Sequence, residues 1–385
     1  MAFAKYKQLT LASNAISMSS DPVDWPLCIG LGYGPQAADA DLKDTSNGGV
    51  IRPDGFDIAF FDSVAQTTRY PAERVLYDGV NGKLEAWVKI PTLTRASAVV
   101  LYMFYGDATI TTDPNGGAFG KTAAWNTGYT NVYHLGDGST LTLTGSTSTP
   151  ANLTNTNSVT ATTGDIAGGA HFVRTANPNA KYLSVAAAAT TTFPLTLECW
   201  AKLTDLITTD SEQRIMVSLS KNSGQEAFWV CYWRFSTDHV TYIMVLENDI
   251  AGAGTNKFNY FAVTVDTNWH HIAAVFTNST SLALHFDGVS VSPNTSFLGS
   301  GVTPSGLDTT SIGIELETSG GPFQWANFNG DIDEARVSNV ARSLDYNIAS
   351  FQSQKASNSF ITWGAATTVG GAAVVHRLAA LGAGA

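Results

Sequence analysis

The chain has 385 residues, which is two to three domains at roughly 150 residues each. It carries 21 Lys and Arg against 32 Asp and Glu, a net charge of −11, with only 14% charged residues beside 44% hydrophobic and 11% aromatic ones. That balance excludes intrinsic disorder, and an acidic chain without a Lys/Arg cluster excludes nucleic acid and anionic lipid as partners. No apolar run reaches the roughly 18 residues of a spanning helix, so membrane insertion is not expected. Thr, Ser, Asn and 35 Gly supply the missing polarity, the composition of a β-rich protein that touches something uncharged.

In chain order, the N-terminus MAFAKYKQLTL has basic residues but neither the apolar core of about 7–15 residues nor the cleavage site of a secretory signal. The expectation is synthesis in a cytoplasm without signal-directed export. Short β-branched and aromatic runs then follow at Leu27–Leu31, Phe56–Phe61, Leu84–Ile90 and Val99–Tyr105. A second series comprises Leu195–Leu203, Phe228–Phe235, Val240–Leu246, Tyr260–Val265, His271–Phe276 and Leu282–Phe286. Many short strands with Gly, Pro, Asn and Asp between them predict sandwiches or barrels. Pro26, Pro91 and Pro194 fall at strand ends, where the missing N–H breaks no central ladder. Between the series, Ser139–Thr163 has no aromatic residue and reads as a long loop. The predicted domains are 1–125 and 130–365, followed by a Gly/Ala-rich tail, 366–385. In that tail Val374, Leu378 and Leu381 share one helical face, with Gly382 as a stop, which predicts a short helix that docks on another subunit.

Cys28, Cys199 and Cys231 have no metal-ligand spacing and are too few for a disulfide framework. Cys199 and Cys231 sit among strand-like aromatics and read as buried small hydrophobes. Asp287-Gly288 between two apolar runs is a hairpin signal. Strict alternation in DIDEARVS puts Ile332 and Glu334 on one face and Asp331 and Asp333 on the other, with Arg336 as a partner for a carboxylate.

WHHIAAVF (Trp269–Phe276), LALHFDGVSV (Leu282–Val291) and FNGDIDEARVSNVARS (Phe328–Ser343) resemble the C-terminal half of a LamG-type concanavalin A-like domain. FPLTLECWAKL (Phe193–Leu203) and VYHLGDG (Val132–Gly138) resemble that family's earlier strands. The first domain is similar to a β-sandwich family of unknown function that precedes LamG modules in bacterial, archaeal and phage surface proteins. That resemblance rests on DWPLCIGL (Asp24–Leu31), DGFDIAFFD (Asp54–Asp62), LEAWVKIP (Leu84–Pro91) and VVLYMFYGD (Val99–Asp107). The implied fold is all-β: two tandem sandwiches, the second a concanavalin A-like jelly roll, with a short helical tail.

Concanavalin-like folds also carry glycosidases, which place acids at E-x-D-x-E on one strand face. Neither Asp331-Ile332-Asp333-Glu334 nor Glu315-Leu316-Glu317 keeps that pattern, and adjacent His270 and His271 must point to opposite faces of a strand. No nucleophile elbow, phosphate loop or dinucleotide fingerprint is present, so no catalytic residue and no enzyme activity are expected. No cofactor is required; calcium is the one the resemblance leaves open. HFVRTAN (His171–Asn177) lacks the family's Asp, leaving Asp165, Asp249 and Asp331 as candidate ligands at no diagnostic spacing.

Sugar recognition needs aromatic faces and planar polar groups. In FWVCYWRF, Trp229, Trp233 and Phe235 alternate with Phe228, Tyr232 and Arg234, so one set builds the core and the other can line a groove with Asn248 and Asp249. Trp325, in a Gly- and Asn-containing stretch, is a further loop candidate. Surface-type modules without an export signal lead to the expectation of a phage virion component, in a capsid decoration, tail or fibre. Its expected partners are other virion subunits, copies of itself and a host-surface glycan. The alternatives are a purely structural virion protein and a bacterial cell-surface adhesin.

Overall fold

A computed structural model describes residues 2–44, 49–149, 151–175, 179–249, 255–297, 303–316, 326–356 and 359–370. Four antiparallel sheets stack in sequence and bury three successive seams. The first sheet is six-stranded, centred on Lys5–Leu11 and Val99–Tyr105; the second has three strands, Val23–Leu31, Lys83–Thr92 and Ala72–Asp78. The third sheet places Leu195–Leu203 between Gly330–Ser338 and His270–Asn278, and the fourth runs through Thr241–Asp249, Ala227–Arg234 and Gln213–Ser220. Two-residue alternation explains the layering. Leu84, Ala86, Val88 and Ile90 face the first sheet, whereas Glu85 and Trp87 on the same strand face the second domain. Leu195, Leu197, Cys199 and Ala201 join Phe228, Val230 and Tyr232 in the core between the third and fourth sheets. The nearly all-β architecture expected from the sequence is present. Cys28, Cys199 and Cys231 are all buried free thiols.

Several local features differ from the expected ones. Ser139–Thr163 holds two edge strands, Thr154–Thr156 and Thr160–Thr163. The helix of the C-terminal region is Leu344–Gln354, capped by the Ser343 hydroxyl, which accepts the Tyr346 N–H. Val374, Leu378 and Leu381 lie outside the described residues. Ile361–Trp363 and Thr367–Thr368 return to pair with Lys5–Leu11, so the first sheet is completed by the end of the chain and the boundary drawn at 365 falls between its two returning strands. At the predicted hairpin, Asp287 (φ 51°) and Gly288 (φ 71°) both take the positive φ of a tight turn.

The most consequential difference is at Glu334. It has a φ of 49°, and the pairing of Gly330–Ser338 with Leu195–Leu203 shifts register opposite it, between Glu198 and Trp200. This is a β-bulge, which resets the alternation. Ile332, Ala335 and Val337 face the core of the second domain, and Glu334 therefore joins Asp333 and Arg336 on the face that meets the first domain. The expected partnership of Glu334 with Ile332 is corrected.

Candidate functional site

Two places concentrate chemistry. On the outer face of the fourth sheet, Trp229, Cys231, Ile215, Met244, Leu246 and Ala326 form a small apolar layer separate from the main core. At one end of that layer the aromatic rings reach solvent. Trp233 stacks on Phe235 with centroids 5.0 Å apart and planes at 16°. Phe235 lies 4.8 Å from Tyr260 and 5.4 Å from Tyr242, and the two tyrosines are 5.0 Å apart. Trp233, Phe235 and Tyr260 are half-buried, a partly exposed ring surface with an apolar body. The hairpin beneath is closed by Phe235 N–H to Val240 O and by Tyr242 Oη donating to Asp238 Oδ2 at 2.8 Å. The Val240 N–H and that hydroxyl hold Asp238 below the usual carboxylate range, so an ionised acceptor stands at the rim.

Of the residues singled out in the sequence, Trp233 lies in this patch. Trp229 is 4% exposed and belongs to the apolar layer, and Tyr232, at 1%, is a core residue; neither offers a ring to a ligand. Arg234 points away from Trp233 and donates to Asp210 Oδ1 at 3.1 Å. Asn248 is six residues along the strand from Tyr242, about 20 Å at ~3.4 Å per residue, and Asp249 faces inward. They do not join the patch. Trp325 lies outside the described residues. Tyr242, Tyr260 and Asp238 were missed because only strand register brings them beside Phe235.

The second place is the seam between the two domains. His134 is buried among carboxylates: Nδ1 is 2.8 Å from Glu334 Oε1 and 3.8 Å from Glu85 Oε1, and Nε2 is 3.1 Å from Glu73 Oε2. Glu73 also accepts from Trp125 Nε1 at 2.6 Å and the Ser146 hydroxyl at 2.8 Å. Arg336, fully buried, donates to Glu334 Oε2 at 2.5 Å and Glu198 Oε1 at 3.4 Å, with its guanidinium 4.2 Å from the Trp87 ring centre. His271 closes the row against Glu198 at 3.0 Å. Burial disfavours a charged imidazole, yet Glu334 and Glu73 outweigh it and hold His134 well above its ordinary value. Burial also pushes Glu85 up to about 8 against the pull of His134. Glu334 goes the other way, because His134 and Arg336 overcome its burial. A cavity of about 350 Å³ reaches this seam and is lined by Glu73, His134, Gly136 and Ser146 among others.

The acids weighed for calcium are dispersed in role. Asp331 pairs with His171 at 2.6 Å, Asp165 is raised to about 7 by burial, and Asp249 faces the sandwich interior. Among the described residues, the group with metal-ligand spacing is Glu85, His134 and Glu334, and none of the three aspartates belongs to it. His270 and His271 do face opposite sides, His270 bound to Asp287 at 2.8 Å and His271 to Glu198.

These layers define an all-β, two-sandwich protein whose second sandwich has the build of a lectin. Residues 177–345 match the family model described as the Concanavalin A-like lectin/glucanases superfamily. Among solved structures, the chain is similar to domain 4 of AbnA, a GH43 extracellular arabinanase from Geobacillus stearothermophilus in complex with arabinotriose. Identity there is 16% over 57% of this chain and 96% of that one, with a TM-score of 0.39. It is also similar to a heptameric SAP-like pentraxin from Limulus polyphemus, with 18% identity over 51% and 89% and a TM-score of 0.37. A third is the botulinum neurotoxin serotype D binding domain, with 12% identity over 60% of this chain and 53% of that one and a TM-score of 0.43. No curated protein matches the chain.

Proposed function

We propose that the protein is a non-catalytic glycan-binding subunit of a phage virion, a capsid decoration, tail or fibre component. The observation that carries the glycan reading is the Trp233–Phe235–Tyr242–Tyr260 patch on a concanavalin A-like sandwich. Its sheet is the last of the four layers, so the patch faces away from the first domain, while Thr367–Thr368 pairs into the opposite layer, where Val369 N–H bonds to Ala4 O. Anchoring at one end and display at the other fit that layout. Stacking and hydrogen bonding to an uncharged sugar make binding insensitive to salt.

Glycan-array screening followed by calorimetry tests the reading. Trp233→Ala should weaken binding at least tenfold, a loss of about 1.4 kcal/mol, with the fold unchanged. A parent protein that binds no glycan sinks it and favours a structural role, which the rigid four-layer stack also suits. For the virion, deleting Val374–Ala385 should leave a folded protein that no longer co-purifies with particles. Normal incorporation of the truncated chain removes the docking role of that segment.

A further inference from the structure

We propose that Glu85, His134 and Glu334 form a divalent transition-metal site that staples the two domains together. The three residues come from separate elements: Glu85 from the second sheet, His134 from the stretch after Tyr129–Tyr133, and Glu334 from the bulge. They are 1%, 5% and 1% exposed, and each offers one ligand atom within 4.8 Å of the others. Donors of a tetrahedral zinc lie roughly 3.3–3.5 Å apart, given bonds near 2.0–2.1 Å. The distances from His134 Nδ1, 2.8 Å to Glu334 Oε1 and 3.8 Å to Glu85 Oε1, bracket that spacing.

Two further details point to a ligand. Glu85 accepts from Trp87 Nε1 at 3.2 Å through Oε1, but its buried Oε2 has no hydrogen-bond partner. A fully buried carboxylate oxygen without a partner is costly unless something completes it. In addition, Glu73 takes the hydrogen of His134 Nε2 while being held by Trp125 and Ser146, the carboxylate–histidine arrangement that leaves the other ring nitrogen to a metal. Arg336 does not compete for the same atoms. It engages Glu334 through Oε2, leaving Oε1, and its charge is shared with Glu198. An ion here takes the place of the proton on Nδ1, which is released to solvent; the cavity of about 350 Å³ meets the same imidazole on its Glu73 side. One imidazole and two carboxylates suit zinc or a neighbouring transition ion and not calcium, which takes oxygen ligands only.

The test uses the full chain, stripped with a chelator and titrated with zinc chloride by calorimetry, with calcium chloride as the comparison. The expected result is one equivalent of zinc bound, no calcium heat at the same concentrations, and a Tm that rises with zinc concentration. Cobalt(II) should give visible ligand-field bands of a low-coordinate nitrogen–oxygen site. Glu85→Gln keeps the side-chain volume and the acceptor for Trp87, and should weaken zinc at least tenfold and abolish the cobalt bands; Glu73→Gln should weaken zinc about tenfold through the histidine. Should Glu85→Gln not fold, His134→Gln carries the same comparison. Absence of zinc heat with an unchanged Tm overturns the proposal, as does zinc binding that Glu85→Gln and His134→Gln leave intact.

Discussion

Replacing Arg336 with methionine tests whether the seam is held by paired charge. The guanidinium is fully buried, bonds to Glu334 and Glu198 at 2.5 and 3.4 Å, and lies 4.2 and 5.2 Å from the centres of Trp87 and Trp125. Methionine fills most of the volume, so the effect isolates charge. Removing one partner of a buried pair costs about 3–5 kcal/mol because the other charge is left uncompensated. A desolvated cation–π contact accounts for about 2 kcal/mol of that scale. His134 still faces Glu334 and His271 still faces Glu198, which places the expected loss near the middle, about 4 kcal/mol. With a urea m-value of about 3 kcal/mol/M the midpoint falls by about 1.3 M. Trp87 and Trp125 make intrinsic fluorescence a direct reporter. The double variant Arg336→Met/Glu334→Gln should lose less than the sum of the two single changes, since Glu334 is then not left charged opposite a missing guanidinium. A single-variant loss below about 1 kcal/mol, or additivity within about 0.5 kcal/mol, refutes the reasoning.

A second prediction concerns Glu247, which is 2% exposed, has two unpartnered oxygens and is pushed up to about 8 by burial, opposed by Lys257. The native state therefore holds a proton that the unfolded chain releases near pH 4.5, so stability should fall as pH rises from about 5 to 8. Glu247→Gln should flatten that slope in urea titrations at pH 5, 7 and 9; an unchanged slope assigns it elsewhere. A third concerns the fragment 1–125, which should not fold alone. It lacks Ile361–Trp363 and Thr367–Thr368 and exposes Trp87 and Cys28, both fully buried in the whole chain; a dispersed amide spectrum from the fragment would contradict this.

The sequence carried the layering well where alternation is unbroken. Phe228–Phe235 shows this: Phe228, Val230 and Tyr232 go to the core, and Trp229, Cys231 and Trp233 to the outer face. Three features were not legible. The helix Leu344–Gln354 buries Asp345, Asn347, Ser350, Ser353 and Gln354, so it has no apolar stripe to detect. Each of three of these side chains finds a polar partner across the packing: Asp345 takes the N–H and hydroxyl of both Ser19 and Ser20, Asn347 bonds His285, and Gln354 accepts from Trp200. Thr154–Thr156 and Thr160–Thr163 are exposed edge strands whose Thr, Asn and Ala content reads as loop. The seam pairs residues that are distant in the chain, such as Glu73 and His134 with Glu334, and no local pattern encodes that.

The bulge at Glu334 ties these points together. In an unbroken strand, Glu334 would face an apolar core beside Ile332, where a carboxylate could not stay charged without a partner. One extra residue turns it to the seam, where His134 and Arg336 stabilise its ionised form. A positive φ at a glutamate is unfavourable, and this one is over-determined on both sides: Asp333 Oδ1 accepts the Glu334 N–H at 2.7 Å, while Asp333 Oδ2 accepts the Ile166 N–H at 2.9 Å. Asp333 thus holds the strained residue in place on the face that meets the first domain. An acidic, low-charge chain links a row of buried charges at this seam, while the outer face of the far sheet carries the cluster of aromatic rings. That division separates the part of the molecule that fixes its shape from the part available to a neutral ligand.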